Sequence, residues 1–172
     1  MIIRIIISSL IVLGVLFLSL LIKRYIKEEL KVIKPFCKLI NITILITLTA
    51  FLILNLNNIY VLIFIVIGFV LQRYIKTRFF SIPLSVITAS FISNTYLFSF
   101  SSVLSFYYLL LGYSTDLTKK DLILAVVLHL ITTLFMFFSS YSGILIGFVA
   151  GLFINLIIKD FRELMKEKWH SI

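Results

Sequence analysis

One ionisable side chain, His129, stands in the middle of a long apolar run. Ionisable groups at membrane depth are costly, and they face a bundle interior or a wet cavity. A neutral imidazole there can take up a proton, hold an ion or bond a neighbouring hydroxyl. At helical spacing His129 shares a face with Ala125, Thr132, Thr133 and Met136. The plainer use of such a histidine is a hydrogen bond to Thr or Ser on a facing helix, worth on the order of 1 kcal/mol. No carboxylate lies inside the apolar runs, which speaks against a proton relay.

Asn94 is the second candidate for a ligand or ion pathway, because a serine-rich stretch surrounds it: Ser93, Ser99, Ser101, Ser102 and Ser105. Irregular backbone at membrane depth needs a protein or water lining. Asn41 and Asn155 are expected to bridge helices, the commoner use of asparagine in lipid. Gly143, Gly147 and Gly151 form a GxxxGxxxG row that continues to Asn155 on one helix face. Such a face lets two helix backbones approach closely, inside the bundle or between subunits. The row resembles the closing helix of rhomboid-like intramembrane proteases. Ser140 stands where those proteases carry histidine, and Gly112-Tyr113-Ser114-Thr115 departs from their GxSG nucleophile motif. The likeness ends with that one helix, and the chain is not assigned to the family.

Other enzyme signatures are absent: GxSxG, HExxH, the phosphate-binding loop and the dinucleotide fingerprint. Cys37 is the only cysteine, so no intrachain disulfide or CxxC pair forms. No metal or cofactor is expected. Asp116 and Asp121 flank Lys119 and Lys120 and read as a solvated turn.

The elements that position these residues are read from composition. Of 172 residues, 62% are hydrophobic and 13% charged, against about a quarter charged in ordinary soluble domains. Four blocks, 5–22, 39–72, 79–115 and 122–158, contain no charge at all. Runs of about 20 apolar residues read as membrane helices, so the fold is an all-α, polytopic transmembrane bundle in a single domain. The net charge of +9 invites a nucleic-acid reading, but the cations sit between apolar blocks, where they meet anionic lipid headgroups. No nucleic-acid partner is expected.

The cluster Lys23, Arg24, Lys27, Lys31, Lys34 and Lys38 sets the orientation, because cationic loops stay on the cytoplasmic side during insertion. The first helix then starts outside and remains uncleaved, since no A-x-A-like site follows it. Asn55-Leu56-Asn57-Asn58 breaks the second block into helices near 39–54 and 59–74 that return to Arg73, Lys76 and Arg78. The third block is read as a hairpin or re-entrant pair, with Pro83 in a first helical turn and a reversal near Ser99–Ser102. Tyr107, Tyr108 and Tyr113 are then expected at a headgroup interface. Ser139-Ser140-Tyr141-Ser142-Gly143 breaks the fourth block, giving helices near 121–138 and 143–159.

Charge separates two topologies. Seven short crossings leave fifteen of the sixteen Lys and Arg inside and only Arg4 outside. Six crossings, with one long or re-entrant middle segment, leave nine inside and seven outside. The seven-crossing arrangement in the cell membrane, with a cytoplasmic C-terminus, follows. Residues 159–172 read as an amphipathic tail on the inner interface. At an offset of 83 residues Gly68 meets Gly151, Gln72 meets Asn155 and Lys76 meets Lys159. The expected role is a non-catalytic subunit or scaffold of a membrane assembly, with a membrane-protein partner or a second copy. The alternative is a small transporter or channel, or its substrate-binding component, working through His129 and Asn94.

Overall fold

The computed structural model describes residues 2–26, 29–56, 61–75, 79, 81–92, 94–115, 117–133 and 142–169. These residues are all-α: α1 (Ile2–Tyr25), α2 (Leu30–Leu54), α3 (Val61–Ile75), α4 (Ser81–Ile92), α5 (Asn94–Ser114), α6 (Lys119–Thr133) and α7 (Ser142–Trp169), with no strand among them. Three segments are long and apolar enough to cross a membrane, Ile3–Tyr25, Val32–Leu54 and Ser142–Lys166. Val61–Tyr74 and Ser81–Ile92 are shorter apolar helices.

Helix ends follow from local chemistry. Lys23 and Arg24 lie in the last turn of α1, where cations complement the C-terminal dipole. Asn55 caps α2: its backbone N–H donates to the Leu52 carbonyl at 3.2 Å and its side-chain amide to the Phe51 carbonyl at 2.8 Å. Both bonds satisfy carbonyls that a helix end leaves open. Asp121 lies in the exposed first turn of α6, where it forms a capping box with Thr118. The Thr118 N–H donates to Asp121 Oδ2 at 2.8 Å, and the Asp121 N–H returns to Thr118 Oγ1 at 3.3 Å.

Three pairs of contacts give the helix directions. Ser19 lies against Gly112 and Lys23 Nζ donates to the Thr115 carbonyl at 2.6 Å, so α1 and α5 run parallel. Val61 meets Gly147, Ile65 meets Gly151 and Asn155 Nδ2 donates to the Phe69 carbonyl at 2.9 Å, so α3 and α7 run parallel. Asn41 reaches Ser114 while Phe51 packs on Phe100 at 5.4 Å, so α2 runs antiparallel to α5. A single long helix over 82–112 would oppose α1, because it would follow three alternating helices. Instead α4 returns the chain from the end of α3 to the start of α5.

The reversal expected near Ser99–Ser102 is absent. α4 is described to Ile92 and α5 from Asn94, and α5 runs unbroken through that stretch. Ser101 and Ser105 donate to the Leu97 and Ser101 carbonyls at 2.7 and 2.8 Å, one turn back. Hydroxyls bonded in this way are compatible with a helix interior. The cationic cluster is likewise mostly helical: α1 ends at Tyr25 and α2 begins at Leu30, taking in Lys31, Lys34, Pro35 and Lys38. Residues 134–141, which include the expected serine-rich break, lie outside the described residues.

The bundle is built on two close pairs, α1 with α5 and α3 with α7, joined by α2 packing on α5 and α7. Inside lies α4, in contact with α1, α5, α6 and α7, its residues 81–90 all buried. Its hydroxyls are satisfied within the helix: Ser85 donates to the Ile82 carbonyl, Thr88 to Leu84 and Ser90 to Ile87, at 2.6–2.8 Å. Outward faces are apolar, among them Ile7, Leu10 and Leu18 of α1, Val66 of α3 and Leu130 of α6. The tail from Lys159 is the unbroken continuation of α7, a helix of 28 residues, about 42 Å long at 1.5 Å per residue.

Gly151 and Gly14 give opposite expectations. A Cβ at Gly151 overlaps the Ile65 carbonyl and meets the Phe69 nitrogen at 2.8 Å, whereas one at Gly14 meets nothing within 4 Å. Gly151→Ala is expected to destabilise by about 1–3 kcal/mol through forced separation of the backbones. Gly14→Ala is expected to be neutral or to stabilise by about 0.5–1 kcal/mol, as in any helix interior. Thermal midpoints of the two variants in one detergent check this.

Candidate functional site

His129 lies on the inner face of α6, 4% exposed. Its Nδ1 is 2.8 Å from the Ala125 carbonyl, one turn earlier on the same helix. A carbonyl only accepts, so this contact selects the tautomer with the proton on Nδ1 and leaves Nε2 as the basic atom of the neutral ring. The His129 ring packs on Tyr108 of α5, centroids 5.9 Å apart and planes inclined at 43°. Tyr108 in turn meets Tyr107 at 6.4 Å and Phe79, just before α4, at 6.3 Å. Both tyrosines are fully buried. The Tyr108 hydroxyl has no hydrogen-bond partner among the described residues.

This cluster differs from the expectation in two ways. Tyr107 and Tyr108 are enclosed by neighbouring helices rather than turned outward, Tyr108 lying between Phe79 and the His129 ring of α6. Asn94 opens α5, fourteen residues before Tyr108 and so about 21 Å away along the helix axis. His129 and Asn94 are therefore not brought to one place. Thr132 and Thr133 close α6, and their side chains, like that of Asn94, lie outside the described residues. The residues that do surround His129 had a signal in the adjacent tyrosines, which also suit an interface.

The packing residues are on one stripe. Gly147 stands over Val61, 2.7 Å from its carbonyl oxygen to an added Cβ, and Gly143 lies beside the Val61 side chain at 3.7 Å. Asn155 pins the lower end to Phe69. This face is occupied by α3 of the same chain, so it is not open to another subunit. Asn41 is buried between α2 and α5, its amide 3.5 Å from Ser114 Oγ, and its Oδ1 has no partner among the described residues.

The cations gather at the ends of helices. Arg24 shares the last turn of α1 with Lys23, and Arg73 lies in the last turn of α3. Lys34 and Lys38 stand on α2, as does Lys31, whose side chain lies outside the described residues, as do Lys27, Lys76 and Arg78 entirely. Lys23 also bonds the Thr115 carbonyl, closing the C-terminal end of α5. Among the described residues no three His, Cys, Asp or Glu side chains come together as metal ligands do.

Tyr108→Phe removes a buried hydroxyl that bonds nothing described. It is expected to leave thermal stability unchanged or raise it by about 1 kcal/mol, since an unsatisfied buried group costs about 1–3 kcal/mol. A loss of stability in detergent would mean that the hydroxyl holds a bound molecule. Comparison with protein-family models, curated proteins and solved structures finds no match to this chain.

Proposed function

We propose that the chain is a multi-pass protein of the cell membrane and serves as a non-catalytic subunit or scaffold of a membrane assembly. The observation that carries this reading is where the buried hydroxyls go. Ser19, Thr49, Ser85, Thr88, Ser90 and Ser101 donate to carbonyls of their own helices at 2.6–2.8 Å. They complete helices rather than converge on a substrate. The apolar outer faces of α1, α2, α3 and α6 support insertion in lipid. Parallel α1 and α5 support seven crossings, with the basic helix ends cytoplasmic and the N-terminus outside.

A second reading, a small transporter or channel component, is favoured by one observation, the Tyr108 hydroxyl beside His129, which has no partner among the described residues. On that reading His129 would act with the two tyrosines and without Asn94.

Orientation is tested in a Cys37→Ser background with a membrane-impermeant maleimide on intact cells. Asn55→Cys is expected to label, while Glu29→Cys and Lys119→Cys label only after permeabilisation. Labelling of Lys119→Cys in intact cells overturns the seven-crossing arrangement. Role is tested by intact-assembly mass spectrometry of protein extracted in native nanodiscs. A stoichiometric second protein is expected. A lone chain with a retained small molecule, lost in Tyr108→Phe, favours the transport reading instead.

A further inference from the structure

We propose that the groove between the basic ends of α3 and α7 is a binding site for the phosphate headgroup of an anionic lipid; this rests on the membrane reading above and names a ligand for it. The groove has a volume of about 430 Å³. Arg73 of α3 faces Lys159, Arg162 and Lys166 of α7 across it, with Glu163 the one carboxylate among the described residues of its wall. The three α7 cations recur at i, i+3 and i+7, so they line one helix face. Among the described residues of the groove four cations stand against one acid, so this part of its wall is positive, and the four line one half-open depression.

The rest of the lining says what kind of anion fits. Besides the charged groups the lining holds Phe69, Leu156 and Ile158 together with the amides Gln72 and Asn155, and a second depression is formed by Phe69, Val70, Arg73 and Tyr74. Val70, Tyr74 and Ile158 are exposed on the outer surface. Apolar surface therefore runs directly into a cationic end, the order of chemistry in a phospholipid from acyl chain to phosphate. The register of the helices produces this step. Asn155 bonds Phe69 and α3 ends at Ile75, while α7 continues to Trp169. On that register Arg162 and Lys166 lie beyond the level of Ile75, the last described residue of α3, and both line the groove. Arginine offers a planar fork to phosphate oxygens and lysine a point charge, so the set suits a phosphate mono- or diester.

The test uses the full chain in a neutral detergent, with native mass spectrometry of bound phosphatidylglycerol and phosphatidylcholine. The expected result is retention of phosphatidylglycerol over phosphatidylcholine, with apparent affinity falling at least tenfold in the double variant Arg162→Gln/Lys166→Gln. The double variant Lys119→Gln/Lys120→Gln removes the same charge from another helix end and is expected to bind as the parent does. Equal loss in both variants, or equal binding of the two lipids, overturns the site. Displacement of the lipid by an equal concentration of inorganic phosphate also overturns it, assigning the groove to free phosphate. Thermal midpoints of both variants show that they fold. Failure of the orientation reading would be seen separately, as labelling of Lys119→Cys from outside, with lipid selectivity intact.

Discussion

The fold depends on how closely the backbones of α3 and α7 approach. In lipid there is no hydrophobic gain from bringing two apolar helices together, so packing at short range has to supply the attraction. Gly68, Gly147 and Gly151 remove the side chains that would hold the pair apart, and an added Cβ at any of them overlaps atoms of the other helix. The contact is reciprocal. Gly68 meets Phe148, three residues before Gly151, and Gly151 meets Ile65, three residues before Gly68. The two helices are thus related by an approximate two-fold along their length, at the offset of 83 residues that also aligns Gln72 with Asn155. A coincidence of spacing in the sequence has a physical counterpart in a parallel pair. The α1–α5 pair repeats the device once, with Gly112 over Ser19.

Polar groups are distributed to suit that frame. A soluble bundle hides its apolar side chains and exposes polar ones, whereas here leucines and isoleucines face outward and Ser, Thr, Asn and His lie inside. Buried hydroxyls cost little when each is bonded, and most of these return to the carbonyl three or four residues back. The arrangement lets α4, only 12 residues long, sit at the centre with apolar and hydroxyl side chains on every face. Its position also explains how α5 can run with α1: the chain returns through the interior between two outer helices.

Much of this was legible in the sequence, and what was missed has identifiable causes. Charge-free blocks marked the helices, Asn55 marked the end of α2, Pro83 lies in the first turn of α4, and the glycine row marked a close face. The start of α2 was hidden because lysines at its beginning read as loop, although a lysine with a long apolar stem is compatible with a helix whose outer surface is apolar. The break in the third block was misplaced because serine reads as a breaker, and nothing local distinguishes a serine that bonds its own helix from one that ends it. Tyr107 and Tyr108 are ambiguous for a similar reason. A ring with a hydroxyl suits an interface and an enclosed core alike, and only the neighbours contributed by α4 and α6 decide between them. The separation of Asn94 from His129 is a property of topology, carried by no local pattern.

Length and charge combine at the end of α7. Residues 142–159 of a helix span about 27 Å, close to the hydrocarbon thickness of about 30 Å, and ten further residues continue the same helix to Trp169. A separate interfacial helix would need a turn after Lys159, and no Gly, Pro or Asn is present there to make one. Without a turn, Arg162 and Lys166 are held on a rigid extension, at a register fixed by the glycine contacts above them. Cations on a flexible tail would sample the whole membrane surface. Cations on this helix are instead held beside Arg73, because the close approach of α3 and α7 sets the axial position of both. The same backbone contact that assembles the bundle therefore also determines the spacing of charge at its basic end.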